Sequence, residues 1–141
     1  MFVYRRPVRF AEVDAARIVF FARYLEYCHD ALEALFGALE GGYAALTMGR
    51  DIGIPSVHAE VDWRAPLRYG DTARIEVTVV KLGRTSITFQ HRLVREADGV
   101  VCADVRQVVV TARLDALGTV PIPDDVRALL ETYRAPDAPT A

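Results

Sequence analysis

The stretch FARYLEYCHDALEALFGALEGG, residues 21–42, decides the fold. Phe21, Tyr24, Leu25, Cys28, Leu32, Leu35, Phe36 and Leu39 recur at the three-and-four spacing that stacks side chains on one face of an α-helix. Arg23, Glu26, Asp30, Glu33 and Glu40 supply only a narrow polar stripe. The pattern predicts a helix from about Phe21, buried on most of its circumference. Gly41-Gly42 is expected to end it, because glycine readily takes the left-handed conformation that closes a helix. Such a helix needs cover on more than one side.

The chain around it is strand-like. Phe2 to Phe10 is rich in Val, Phe, Tyr and Arg and reads as a strand, weakened by Pro7, which favours an edge or a bulge. After Pro55, Val57 to Trp63 opens a second strand. Ala73, Ile75, Val77 and Val79 then alternate with Arg74, Glu76 and Thr78, and Ile87, Phe89, His91 and Leu93 alternate with Thr88, Gln90 and Arg92. Val100 to Ala112 is a further strand. The connectors Tyr69-Gly70-Asp71, Leu82-Gly83-Arg84 and Ala97-Asp98-Gly99 carry glycine where hairpin turns use positive φ, and their shortness predicts antiparallel pairing of successive strands. A brief helix is expected over about Asp124 to Tyr133. The order predicts an α+β fold, a five-stranded antiparallel sheet wrapped around one long central helix. Residues 1–134 form the single domain and 135–141 a flexible tail. Open sheet edges and an incompletely shielded helix predict self-association.

With 141 residues, 52% hydrophobic, and 17 basic against 19 acidic side chains, the chain has one core and no electrostatic footprint for nucleic acid. Arg5, Arg6 and Pro7 interrupt the start, and no apolar run reaches membrane-spanning length, so no membrane association is expected. Cys28 and Cys102 are the two cysteines. Cys28 falls in the apolar helical pattern, where a small buried thiol is the commoner role, and two such cysteines suit a reducing, cytoplasmic compartment. His29, His58 and His91 lack metal-ligand spacing, and no metal or cofactor is implied.

Chemistry concentrates just before the helix, in Val13-Asp14-Ala15-Ala16-Arg17-Ile18-Val19-Phe20-Phe21. By residue type alone Asp14 is either a turn residue satisfying backbone donors or the reactive carboxylate of a site. The longer run Phe10-Ala11-Glu12-Val13-Asp14 through Tyr24-Leu25-Glu26-Tyr27 resembles the motif of the 4-hydroxybenzoyl-CoA thioesterase family of hotdog-fold proteins. The resemblance continues through Ile52-Gly53-Ile54-Pro55, Trp63-Arg64-Ala65-Pro66-Leu67-Arg68-Tyr69-Gly70-Asp71 and Leu82-Gly83-Arg84-Thr85-Ser86.

That resemblance implies an acyl-CoA thioesterase, a homodimer or homotetramer with sites between protomers. It makes Asp14 the catalytic carboxylate, attacking the thioester carbonyl or activating water, and the backbone N–H groups of Phe21 and Ala22 the oxyanion donors. It implies that Arg84 and Ser86 of one protomer contact coenzyme A. It sets the Ile52-Gly53-Ile54-Pro55 element at the border of the acyl pocket, so His58, which follows it, is either a substrate contact or a satisfied strand histidine, and aromatic residues such as Tyr24 are first of all core, with one or two lining an acyl chamber. The family usually has glycine where this chain has Arg17, a position at which arginine meets a positive φ at a steric cost. Arg17 is then either a solvated cation or a residue that receives an anionic substrate group. Two other functions compete. One is a non-catalytic acyl-thioester binder using the same pocket. The other is a hotdog dehydratase, which would need a histidine near the start of the helix that this sequence lacks.

Overall fold

The computed structural model describes residues 1–116 and 118–136. Strand β1 (Phe2–Pro7) leads through a 3-10 turn (Phe10–Glu12) and a loop into helix α1 (Arg23–Phe36). The short helix α2 (Gly42–Ala44) and a π-helical turn (Ala45–Gly49) follow. After them come β2 (Ile52–Gly53), β3 (Ser56–Trp63), β4 (Thr72–Leu82), β5 (Ser86–Arg95), β6 (Val101–Val110), β7 (Ala112–Arg113) and α3 (Asp124–Glu131). Five strands form one antiparallel sheet in the order β1-β4-β5-β6-β3, and β2 pairs with β7 in a separate two-stranded sheet. This is the α+β architecture that the periodicities predict.

The alternation along the strands does what its period requires. Ala73, Ile75, Val77 and Val79 of β4 and Ile87, Phe89, His91 and Leu93 of β5 are buried, joining Tyr27, Leu35 and Phe36 of α1 in one core. Each fully buried large apolar side chain contributes roughly 1.5–3 kcal/mol. On the opposite face Arg74 pairs with Glu76 (3.2 Å) and Glu96 (3.5 Å), and Arg92 approaches Glu76 (4.0 Å), as polar alternates of a sheet with one solvated face do.

Several boundaries and pairings depart from expectation. Strand β1 stops at Pro7 instead of Phe10; a proline cannot donate to a ladder, and this one closes an edge strand. Helix α1 ends at Phe36, not at Gly41-Gly42, because Gly37 interrupts it. From there i→i−3 bonds take over, from Ala38 N–H to Leu35 O and from Leu39 N–H to Phe36 O. The helix is buried on one face and not nearly all round; Leu25, on the open face, is 44% exposed. Gly70 and Gly99 have positive φ as the turns require, but Gly83 does not. At Gly83 the need is space, since a Cβ there would lie 2.9 Å from Ser86 Oγ.

The largest departure is β3. A short connector separates it from β4, yet the two lie on different sides of the sheet: β3 pairs with β6 at one edge, and β4 sits between β1 and β5. The segment 64–71 is therefore a crossover and not a hairpin. It is held by Arg64 and Ala65 N–H donating to Cys102 O, at 2.7 and 3.2 Å, and by Val19 N–H donating to Leu67 O at 2.8 Å. Strand β3 is left exposed on both faces over most of its length. In the expected tail, Ala135 N–H still donates to Val79 O at 2.9 Å, and residues 137–141 lie outside the described residues. No described helix is long and apolar enough to cross a membrane.

Candidate active site

Asp14 stands in a small hairpin of its own. Val13 and Val19 bridge antiparallel, Asp14 N–H donates to Ile18 O at 2.9 Å, and Arg17 N–H donates to Asp14 O at 2.9 Å. Such a three-residue loop, here Ala15-Ala16-Arg17, usually places its last residue in the left-handed region. Arg17 takes that conformation, with φ +66°. The loop thus keeps the geometry a glycine would give it, and the arginine carries strain on the order of 1–2 kcal/mol. Asp14 Oδ1 accepts from the Ala16 N–H at 2.8 Å, so the turn-residue role proposed for it from sequence is real. That bond occupies only one side of one oxygen and leaves an exposed carboxylate with further acceptor capacity.

What the carboxylate faces distinguishes it from an ordinary turn residue. Asp14 lines a cleft of about 660 Å³, whose other walls are Ile18, Val19, Phe20, Phe21 and Tyr24 from the loop and the start of α1, Trp63 from the end of β3, and Arg64, Ala65, Pro66 and Arg68 from the crossover. The aromatic walls are locked edge to face: Phe21 lies 5.8 Å and Tyr24 6.4 Å from Trp63 between ring centroids. The Tyr24 hydroxyl accepts from Leu67 N–H at 3.2 Å, and burial raises its pKa against the opposing effect of that donor. Beside these walls, the N–H groups of Phe21 and Ala22 donate to no other group among the described residues. They stand at the positive end of α1. An aromatic chamber, an available carboxylate and unused helix-terminal donors suit a neutral carbonyl that becomes an oxyanion on attack.

A buried ionic cluster holds this hairpin to the fold. Glu12 is 5% exposed; its Oε1 accepts from Tyr27 Oη (2.9 Å) and from Arg9 N–H (2.8 Å), and its other oxygen pairs with Arg6. Arg6 also pairs with Asp30 (3.0 Å) and lies 4.1 Å above the Tyr27 ring. The Glu12 main chain takes part as well, its carbonyl accepting from Phe20 N–H at 2.9 Å. Burial pushes the Glu12 carboxyl up, but the Arg9 N–H, the Tyr27 hydroxyl and the Arg6 guanidinium together hold it below the ordinary carboxylate value. Burial and the neighbouring Glu12 both push Tyr27 up, so it stays a neutral donor. The hairpin is thus fastened at Glu12 and Phe20, on both sides of Asp14.

Of the residues singled out from sequence, Asp14, Phe21 and Tyr24 share this cleft. Ala22 caps α1 immediately beside it. Arg17 lines a neighbouring cleft of about 470 Å³ that also has Asp14 in its wall. Arg84 lies in the turn at the far end of β4 and Ser86 opens β5 just after it; the eleven residues of β4 span roughly 35 Å at about 3.3 Å each. Within one chain Arg84 and Ser86 are remote from Asp14. The turn is braced by Arg127, which donates to Gly83 O, and by Ile122 N–H, which donates to Arg84 O at 2.9 Å. His58 lies on exposed β3 and pairs with Glu60 at 2.9 Å, outside both clefts. Cys28 is buried and its thiol pushed strongly up by burial, and both cysteines are free. No group of three His, Cys, Asp or Glu among the described residues is arranged to hold a metal.

Sequence reading missed the far wall of Trp63, Arg64, Pro66 and Arg68, because it took Tyr69-Gly70-Asp71 for a hairpin connector. It also assigned no role to Glu12. A signal existed there: a carboxylate between Ala11 and Val13, in a segment about to enter the core, needs a buried partner.

The fold and cleft define a hotdog-type protein with a carboxylate at the mouth of its central helix. Residues 8–130 match the Thioesterase-like superfamily, and the chain belongs to that superfamily. It is similar to the 1,4-dihydroxy-2-naphthoyl-CoA hydrolase of Nostoc punctiforme, 34% identical over 133 residues that cover 94% of this chain and 88% of the relative. The enzyme of the same name from Synechococcus elongatus is 39% identical over 93 residues, 64% of this chain and 67% of that one. The solved structure of a gentisyl-coenzyme A thioesterase superposes with a TM-score of 0.80 at 29% identity, covering 91% of this chain and 98% of the other.

Proposed function

We propose that this protein is a cytoplasmic acyl-CoA thioesterase that hydrolyses an aromatic acyl-CoA to the free acid and coenzyme A, within the range of chemistry of the 4-hydroxybenzoyl-CoA thioesterase family. The observation that carries the reading is the Asp14 carboxylate in the wall of an aromatic cleft beside the unused N–H groups of Phe21 and Ala22. In the reaction Asp14 attacks the thioester carbonyl, or takes a proton from the water that does. The negative charge that develops on the carbonyl oxygen is received by the two N–H groups. Collapse then breaks the C–S bond and expels a thiolate, a leaving group that needs little acid assistance. On the nucleophilic route, water hydrolyses the resulting anhydride and restores Asp14. The rings of Phe20, Phe21, Tyr24 and Trp63 favour a flat acyl group, and the relatives named for naphthoyl- and gentisyl-CoA support an aromatic one.

The open edge and two exposed faces of β3 support assembly with a second copy, as a homodimer or a homotetramer. In such an assembly Arg84, Ser86 and His58 reach a site only from a partner protomer, the guanidinium suiting a phosphate by its fixed donor fork.

A thiol-release screen across benzoyl, hydroxybenzoyl, naphthoyl and aliphatic CoA thioesters tests the proposal, with Asp14→Asn as the decisive variant. Asparagine retains an oxygen for the Ala16 N–H, so the fold is expected to hold while turnover falls by orders of magnitude. Wild-type rates in Asp14→Asn refute Asp14 chemistry. Tight binding of acyl-CoA without turnover by the wild type identifies a non-catalytic binder instead.

A further inference from the structure

The cleft beside the acyl chamber has a composition of its own. Its walls are Phe10, Val13, Asp14, Ala15, Arg17 and Tyr69. Phe10 and Tyr69 meet edge to face at 5.6 Å while remaining 74% and 63% exposed, so a flat apolar surface stands open to solvent. The charged side chains in the wall are Asp14 and Arg17, and among the described residues Arg17 makes no ion pair. Its backbone meanwhile holds the strained φ of +66°, a conformation that glycine would adopt freely. An unpaired guanidinium thus stands in an aromatic-walled cleft that shares Asp14 with the acyl chamber.

We propose that Arg17, with Phe10 and Tyr69, forms a subsite for an anionic group of the substrate, so that a thioester held at Asp14 extends into both clefts. This rests on the thioesterase reading of Asp14. Two parts of such a substrate carry suitable oxyanions: a phosphate of the thiol carrier, or an acidic substituent on the aromatic acyl group. Both match a planar fork of donors, and neither would find a second cation in this wall.

The test compares wild type, Arg17→Gly and Arg17→Lys on three substrates: benzoyl-CoA, a carboxy-substituted benzoyl-CoA, and benzoyl-N-acetylcysteamine, which lacks phosphate. Loss of a charge-assisted contact raises KM about tenfold or more in Arg17→Gly, with kcat little changed and partial recovery in Arg17→Lys. A rise on both CoA thioesters but not on the N-acetylcysteamine thioester assigns the phosphate. A rise confined to the carboxylated acyl group assigns the acyl anion. Unchanged KM on every substrate, or an equal rise on the uncharged one, overturns the proposal. Calorimetric binding of coenzyme A and of the free aromatic diacid to the same proteins needs no turnover. Anion binding that depends on Arg17 in a protein without hydrolysis therefore sinks the thioesterase reading and leaves the subsite standing.

Discussion

Replacing Arg17 with glycine is expected to stabilise the protein. The reason lies in one dihedral angle: Arg17 sits at φ +66°, where the Cβ of an L-residue crowds the neighbouring carbonyl, at a cost of roughly 1–2 kcal/mol. The loop has little freedom to avoid it, because the Asp14–Ile18 and Asp14–Arg17 bonds and the Val13–Val19 bridge close around this residue. Glycine removes the crowding but loosens the unfolded chain, an opposing effect of about 0.5–1 kcal/mol. The net gain is about 0.5–1 kcal/mol. Unfolding entropy near 2.1 cal/mol/K per residue across 141 residues makes that a rise of about 2–3 °C in Tm. Arg17→Ala separates backbone from side chain, since alanine loses the guanidinium but keeps the strain, and its Tm is expected to stay near that of wild type. Differential scanning calorimetry and urea titration of the three proteins measure these differences. A glycine variant no more stable than the alanine variant would refute the claim that Arg17 is strained. The subsite proposed above predicts that the stabilised variant binds substrate less well, a trade of stability against function.

Other outcomes follow from the buried groups. Glu12→Gln leaves Arg6 with Asp30 as its remaining ionic partner and is expected to lower stability by about 3 kcal/mol, read as a shift of the urea midpoint; an unchanged midpoint contradicts a working cluster. Because the folded-state pKa of Glu12 lies below its ordinary 4.5, its contribution is present above that pH and is lost as the pH falls through the depressed value. His91 acts in a higher window. Burial lowers its pKa from 6.5 to about 4 even though its Nε2 meets Gln107 Oε1 at 2.9 Å, so the unfolded chain takes up a proton first, and stability on the order of 3 kcal/mol present above pH 6.5 drains away towards pH 4. A plot of Tm against pH is expected to be flatter over that interval in His91→Leu, and an identical slope would rule out the assignment. Trp63→Ala removes the far side of the aromatic wall; as Trp63 is 48% exposed, kcat/KM for aromatic thioesters is expected to fall far more than Tm.

The cleft was legible from sequence in its near wall and not in its far one. Asp14, Phe21 and Tyr24 belong to one continuous segment, so a motif running into a helical repeat brings them together without long-range information. Trp63 enters at the end of β3, and Arg64 and Arg68 through the crossover. A turn-like Tyr69-Gly70-Asp71 reads identically whether the next strand pairs with the last or lies across the sheet. Arg84 and Ser86 were visible as a polar turn, but their distance from Asp14 follows from the length and direction of β4, not from local pattern.

By itself the sequence determined which residues turn inward, because side-chain alternation at periods of two and of three to four follows from backbone geometry alone. It determined the helix and the long strands. Only the tertiary structure decided what covers each apolar face. It sent β3 to the far edge, turned 64–71 into the second wall of the cleft, and brought Glu12 to Tyr27 and Arg6. Periodicity states that a face must be buried, while the partner that buries it is selected by packing among elements distant along the chain.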